Sequence, residues 1–321
     1  MATRFLRSIA GLALAVLAGG TAAQAYPSKP IRIIVPFAAG SGADGNSRFF
    51  GDLVSRAWGQ PVVVDNRPGG SGVIGALAVK GAPADGYTLF CGTNSPITVN
   101  PTVMKDLPYE PMKDFRSVIL FGLAPVSFVV NAGSPHKTVA DLVQATKKSG
   151  LSLPSGTYSA GYELVAAWFG TATGITITNV PYKGMAATVQ DILGNQVGFS
   201  ALDSTTVVPF VKDGRLRVLA ITSEARMPQL PDVPTMKESG YPDFVSHVWA
   251  SIMVRSETPD AIVDKLYEGF KAAIASPEGR NFFAPQARID VNFTPKEMQA
   301  FVVSEYERFK TVAKAAGITP R

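Results

Sequence analysis

Apolar and polar positions alternate along this chain in two rhythms. Ile31-Arg32-Ile33-Ile34-Val35 is a β-branched run, the pattern of a strand covered on both faces. Phe49, Phe50, Leu53, Val54, Ala57 and Trp58 then recur at helical spacing, which predicts a helix over 46–58. A strand over 61–64, a helix over 73–80 and a strand over 87–91 follow. The alternation restarts with strands over 127–130, 151–158, 175–180, 197–202 and 217–221. Helices over 138–149, 162–169 and 186–193 separate them. Thr138 is placed to cap the first of these, with Asp141 in its first turn. The chain ends in helices over 259–275, 277–283 and 295–316. Such alternation predicts an α/β fold with a mostly parallel sheet. Two such units with terminal helices predict two lobes. The crossings are expected near Ala124-Pro125-Val126 and His247-Val248-Trp249.

The turn after the first strand carries the clearest chemistry. Pro36-Phe37-Ala38-Ala39-Gly40-Ser41-Gly42-Ala43-Asp44-Gly45 joins a strand to a helix start. Unpaired N–H groups and the helix dipole favour an anion there, a carboxylate or a phosphate. Phe37, Ala38, Ala39, Gly40, Ser41, Gly42 and Asp44 are therefore candidate binding residues. Asp44 would repel an anion directly, so it either caps the helix through backbone donors or meets a ligand ammonium or a water. Ser155-Gly156-Thr157-Tyr158-Ser159-Ala160-Gly161 repeats the logic in the second unit. Ser155, Gly156 and Thr157 offer polar groups there, and Tyr158 offers an aromatic wall. Asn94 and Ser95 follow the third strand, and Asp203 follows another strand of the second unit. Their common position after strands places them where α/β folds bind ligands.

Gly40 to Gly45 also matches the dinucleotide pattern, with Asp65 twenty residues on. That reading fails, because Pro36-Phe37-Ala38-Ala39 separates the strand from the glycines. A second match at Gly70 to Gly75 shows how easily 30 glycines generate the pattern. Arg4 and Arg7, the apolar stretch from Ile9 to Gly20, and Ala23-Gln24-Ala25 read as an export signal over 1–25, cleaved before Tyr26. Its loss lowers the net charge from +5 to +3, too weak and dispersed for nucleic acid. The single cysteine, Cys91, excludes an internal disulfide framework and is expected to be a small buried apolar residue. His136 and His247, the only histidines, stand apart, and no Cys/His/Asp cluster has metal spacing. No nucleophile elbow is present. Nothing signals an enzyme, a metal or a cofactor.

Several blocks resemble the receptors of tripartite tricarboxylate transporters, the Bug family. They include Tyr26-Pro27-Ser28-Lys29-Pro30-Ile31, Val35-Pro36-Phe37-Ala38-Ala39-Gly40, Gly59-Gln60-Pro61-Val62-Val63-Val64 and Asn66-Arg67-Pro68-Gly69. Asp85-Gly86-Tyr87-Thr88-Leu89, Val180-Pro181-Tyr182-Lys183-Gly184 and Leu230-Pro231-Asp232-Val233-Pro234-Thr235 complete the set. The resemblance implies a type II-like periplasmic-binding-protein (Venus-flytrap) fold with two interlobe crossings. Its lobes would be 26–125 plus 248–321, and 126–247. It implies a monomeric periplasmic receptor without catalysis. This receptor would close on a small carboxylate and meet the membrane components of a transporter or a sensor kinase. An exported carboxylate-processing hydrolase or isomerase is the alternative from the enzyme class. Two departures concern the far end of the ligand. Tyr158 and Tyr162 intrude on a turn usually rich in Ser and Gly, and Glu163 stands near a usual His. By spacing to Pro209, Leu202 rather than Asp203 takes the position of the usual Asp. Both favour a larger or aromatic carboxylate over an amino acid; the expected ligand is an aromatic or dicarboxylic acid.

Overall fold

A computed structural model describes residues 26–320. The expected export segment over 1–25, with its cleavage point, lies outside the described residues. β1 (Ile31–Val35) lies between β2 (Val62–Asn66) and β3 (Thr88–Thr93), parallel to both. All of β1 except Arg32 is buried. Its alternate residues enter different layers, as the strand period requires. Ile33 and Val35 pack under α1 (Gly42–Trp58), and Ile34 packs with Ala76 and Val79 of α2 (Val73–Lys80).

The second unit contains α3 (Val139–Ser149), β5 (Leu153–Thr157), α4 (Ala160–Thr173), β6 (Ile177–Pro181), α5 (Met185–Leu193), β7 (Phe199–Asp203), α6 (Ser204–Lys212) and β8 (Leu216–Ile221). β5 is parallel to β6 and β7. Thr138 and Asp141 form the expected capping box at α3. The chain closes with α7 (Asp260–Ala275), α8 (Pro277–Phe283) and α9 (Pro295–Ala315).

Two long strands join the halves: β4 (Phe115–Asn131) and β9 (His247–Arg255). Among the described residues the order is β2-β1-β3-β9-β4-β7-β5-β6, with β8 also on β4. β4 pairs with β9 as far as Pro125↔His247, and with β7 from Val126↔Asp203 onward. The pairs β3–β9, β4–β9, β4–β7 and β4–β8 are antiparallel, so the sheet is less parallel than the alternation predicts. The reason is topological: the chain crosses once on β4 and returns on β9, so these neighbours run in opposite directions. The periodicity reading catches only 127–130 of β4 and none of β9. Both are buried on two faces through much of their length, which erases the period of two.

Two apolar layers flank each half, and Cys91 lies in one of them as expected. Burial pushes its thiol up to about 12. A fifth cluster draws on both halves: Val99, Ala160 and Leu164 pack against Phe309, Val312 and Ala313 of α9.

Candidate functional site

The Gly-rich turn is built by reciprocal capping. Ser41 is the N-cap of α1, and its Oγ accepts the Asp44 N–H at 3.2 Å. Asp44 reaches back, and its Oδ2 accepts the Gly40 N–H at 3.0 Å. Its Oδ1 accepts from Arg48 Nε at 3.0 Å and from Asn66 Nδ2 at 2.9 Å. Asn66 Nδ2 also donates to the Phe37 carbonyl at 3.0 Å, fixing both ends of the turn. The helix thus starts at Gly42 rather than near 46, and Gly42 and Gly45 form its first turn. Burial pushes the Asp44 carboxyl up. The hydrogen bonds from Arg48, Gly40 and Asn66 outweigh that and hold it below the usual carboxylate range. By helix geometry the amides of Gly42 and Ala43 have no intrahelical acceptor, and both residues line a cleft between the halves.

That cleft has a cavity volume of about 60 Å³, room for a few waters or a short acid. One wall is Phe37, Ser41, Gly42, Thr93, Asn94 and Ser95. The other is Tyr158, Ser159, Tyr162, Asp203 and Thr205. The floor is Gly122, Leu123 and Ala124 of β4 with Val248, Trp249 and Ala250 of β9. Asn46, Phe121, Phe283, Gln286 and Arg288 also line it. Among the described lining residues, only Asp203 and Arg288 carry formal charge. Burial pushes the Asp203 carboxyl up, although it accepts from Thr205 N at 2.8 Å and Thr205 Oγ1 at 2.9 Å. Burial also raises the Tyr158 and Tyr162 phenols, which lie near Asp203.

The halves are shut on each other. Phe37 meets Tyr158 edge-on at 6.1 Å. The Ala160 N–H donates to Ser71 Oγ and the Gly161 N–H to Ser95 Oγ, each at 3.1 Å. Two amides at the head of α4 are therefore taken by hydroxyls of the opposite half. A Cβ on Gly42 would lie 2.7 Å from Asp203 Oδ2, and one on Gly161 would lie 2.5 Å from Asn94 Nδ2.

Of the residues singled out by sequence, Phe37, Ser41, Gly42, Asn94, Ser95, Tyr158 and Asp203 line the cleft. Ala38 lies at the contact between halves, 3.4 Å from a Cβ placed on Gly184. Ala39 and Gly40 form the turn around Asp44, and Asp44 itself faces Gly40, Arg48 and Asn66. Ser155, Gly156 and Thr157 lie buried on β5 behind the cleft wall. There a Cβ on Gly156 would meet Thr188, and Thr157 donates to Asn179. Asp203, not Leu202, reaches the cleft, because β7 ends there and Asp203 caps α6. Thr93, Tyr162, Trp249, Gln286 and Arg288 were not singled out. Tyr162 carries a signal as an intruding aromatic, Thr93 as the residue before Asn94 after the third strand, and Trp249 as part of the expected crossing.

A sequence model described as the tripartite tricarboxylate transporter family receptor matches residues 47–318. The chain belongs to this receptor family. It is 33% identical to the protein BugT of Bordetella pertussis over 309 residues, 95% of each chain. A Rhodopseudomonas palustris structure with adipate superposes at a TM-score of 0.88 and 32% identity, covering 92% of this chain and all of that one. The same organism's MatC, with bound malate, gives 0.85 at 25% identity, covering 89% and 99%. The two-lobed receptor fold follows, and the family reading is of carboxylate-binding receptors, not enzymes. Receptors of this family are periplasmic. No helix among the described residues is long and apolar enough to cross a membrane.

Proposed function

We propose that the receptor captures a short dicarboxylate between lobes 26–125 plus 248–321 and 126–247, for uptake by a tripartite transporter. We further propose that residues 1–25 are removed on export. The switch in β4 pairing at Pro125 and Val126 supports these lobe borders. One observation carries the ligand reading. Thr93 Oγ1, Trp249 Nε1 and Arg288 Nε are buried without a hydrogen-bond partner, and all three residues line the cleft. All three can donate hydrogen bonds, and buried donors require acceptors. The Gly42 and Ala43 amides add two more. A carboxylate satisfies such a set; a cation does not. The adipate and malate bound to similar receptors agree with this chemistry. The aromatic wall of Phe37, Tyr158 and Tyr162 suits an aromatic acid, but the narrow space favours a short chain.

Thermal unfolding of residues 26–321 against mono-, di-, tricarboxylic, amino and aromatic acids tests this. A ligand at about a hundred times its dissociation constant adds about 2.7 kcal/mol. At this chain length that is a shift of about 4 °C. The expected result is selective stabilisation by one or more C4–C6 diacids. If no diacid shifts the transition, even after denaturing and refolding to release a copurified ligand, the assignment fails.

A further inference from the structure

Arg288 lies in the segment between α8 and α9, far in sequence from any strand that builds the walls. The Leu123 and Ile289 backbones pair with each other, Ile289 N to Leu123 O at 2.7 Å and Leu123 N to Ile289 O at 3.1 Å. That pairing lays Arg288 against the cleft floor. Its side chain is only 10% exposed. The guanidinium carbon sits 3.5 Å from the centre of the Phe283 ring. On the other side it covers Gly122, where an added Cβ would lie 2.7 Å from Nε. Gly122 has φ +140°, so both space and backbone demand glycine there. The guanidinium is thus clamped flat between a ring and a bare backbone. Nη2 pairs with the exposed Asp290, and Nε is left buried with no partner.

A buried guanidinium held this firmly, with an unused donor at the cleft, is costly unless something accepts from it. The other charged lining residue, Asp203, has its Oδ1 taken by Thr205. We propose that Arg288 is the specificity-determining residue of the cleft and reads the second carboxylate of a dianionic ligand. The Gly42 and Ala43 amides receive the first. The inference rests on the dicarboxylate reading above and assigns its selectivity to one side chain. Arg suits the task because its fixed fork presents donors to a planar carboxylate.

The test uses the tightest-binding diacid of a C4–C8 series and the monomethyl ester of that acid, titrated by calorimetry into residues 26–321. The intact protein should prefer the diacid by about tenfold or more, the scale of a charge-assisted hydrogen bond. Arg288→Gln should bring the ratio to about one by weakening the diacid alone. Arg288→Lys should keep part of the preference. A merely structural role for Arg288 would weaken both probes equally, and that result overturns the proposal, as does an unchanged ratio. Should Arg288→Gln fail to fold, the unmodified protein still decides, since equal affinity for diacid and ester overturns Arg288 as the reader of charge. Binding of neither probe overturns the dicarboxylate reading and this inference together.

Discussion

Gly42→Val is expected to lower ligand affinity by about 10- to 100-fold while leaving the unliganded receptor as stable as the parent. Gly42 is the first residue of α1 and has ordinary helical geometry, so valine strains no backbone there. The obstacle lies across the cleft, where Asp203 Oδ2 would be 2.7 Å from the new Cβ and Thr206 Cγ2 3.6 Å. Overpacking a tight contact costs about 1–3 kcal/mol. Here that cost falls only on the closed form, so the closed population drops and the apparent affinity drops with it. Calorimetric titration gives the affinity, and small-angle scattering with saturating diacid reports a more open average shape. Gly45→Ala is the control, because a Cβ there meets nothing within 4 Å. Unchanged affinity in Gly42→Val would show that the two walls do not approach this closely when ligand binds.

Asp44→Ala is expected to cost about 2–3 kcal/mol of stability and at least tenfold in affinity. The carboxylate is buried, and it gathers the Gly40 N–H, Arg48 and Asn66. Removing it strands an amide and a side-chain amide and frees the turn that aims the Gly42 and Ala43 donors. Arg48 is half exposed, so its share of the loss is small. The pH dependence has a definite sign. The folded-state carboxyl titrates below its unfolded value, so its stabilisation is fully present above the ordinary carboxylate range and disappears as pH falls through the folded value. Denaturant midpoints at pH 7 and pH 3 should therefore differ less in Asp44→Ala than in the parent. An equal difference would mean that Asp44 does not hold the turn.

The legible part of this molecule was local. A β-branched run followed by Gly-Ser-Gly-Ala-Asp announces a strand, a turn and a helix N-terminus, and the α1 end of the cleft is there. α1 starts earlier than the apolar spacing predicts: glycines argue against a helix, and the Ser41–Asp44 capping pair outweighs them. Asp203 could be chosen for following a strand, but spacing to Pro209 pointed to Leu202. What decides is register: Leu202 opposes Ser127 and is buried, and the strand ends one residue later. Arg288 has no local signal, and Trp249 has one only as part of an expected crossing, not as a cleft residue. Trp249 sits on a strand without alternation, and Arg288 reaches the floor only through the Leu123–Ile289 pairing. Long-range pairing of this kind leaves no period in the sequence.

The apolar cluster shared by α9 and the two halves has a calorimetric consequence. Val99 belongs to the segment after β3, whereas Ala160 and Leu164 begin α4. Phe309, Val312 and Ala313 pack with both groups. Whichever group α9 follows when the cleft opens, hydrocarbon surface on the other side meets water. Ligand-driven closure covers it again, so the enthalpy of capture should grow more negative as temperature rises, even for a ligand as polar as a diacid.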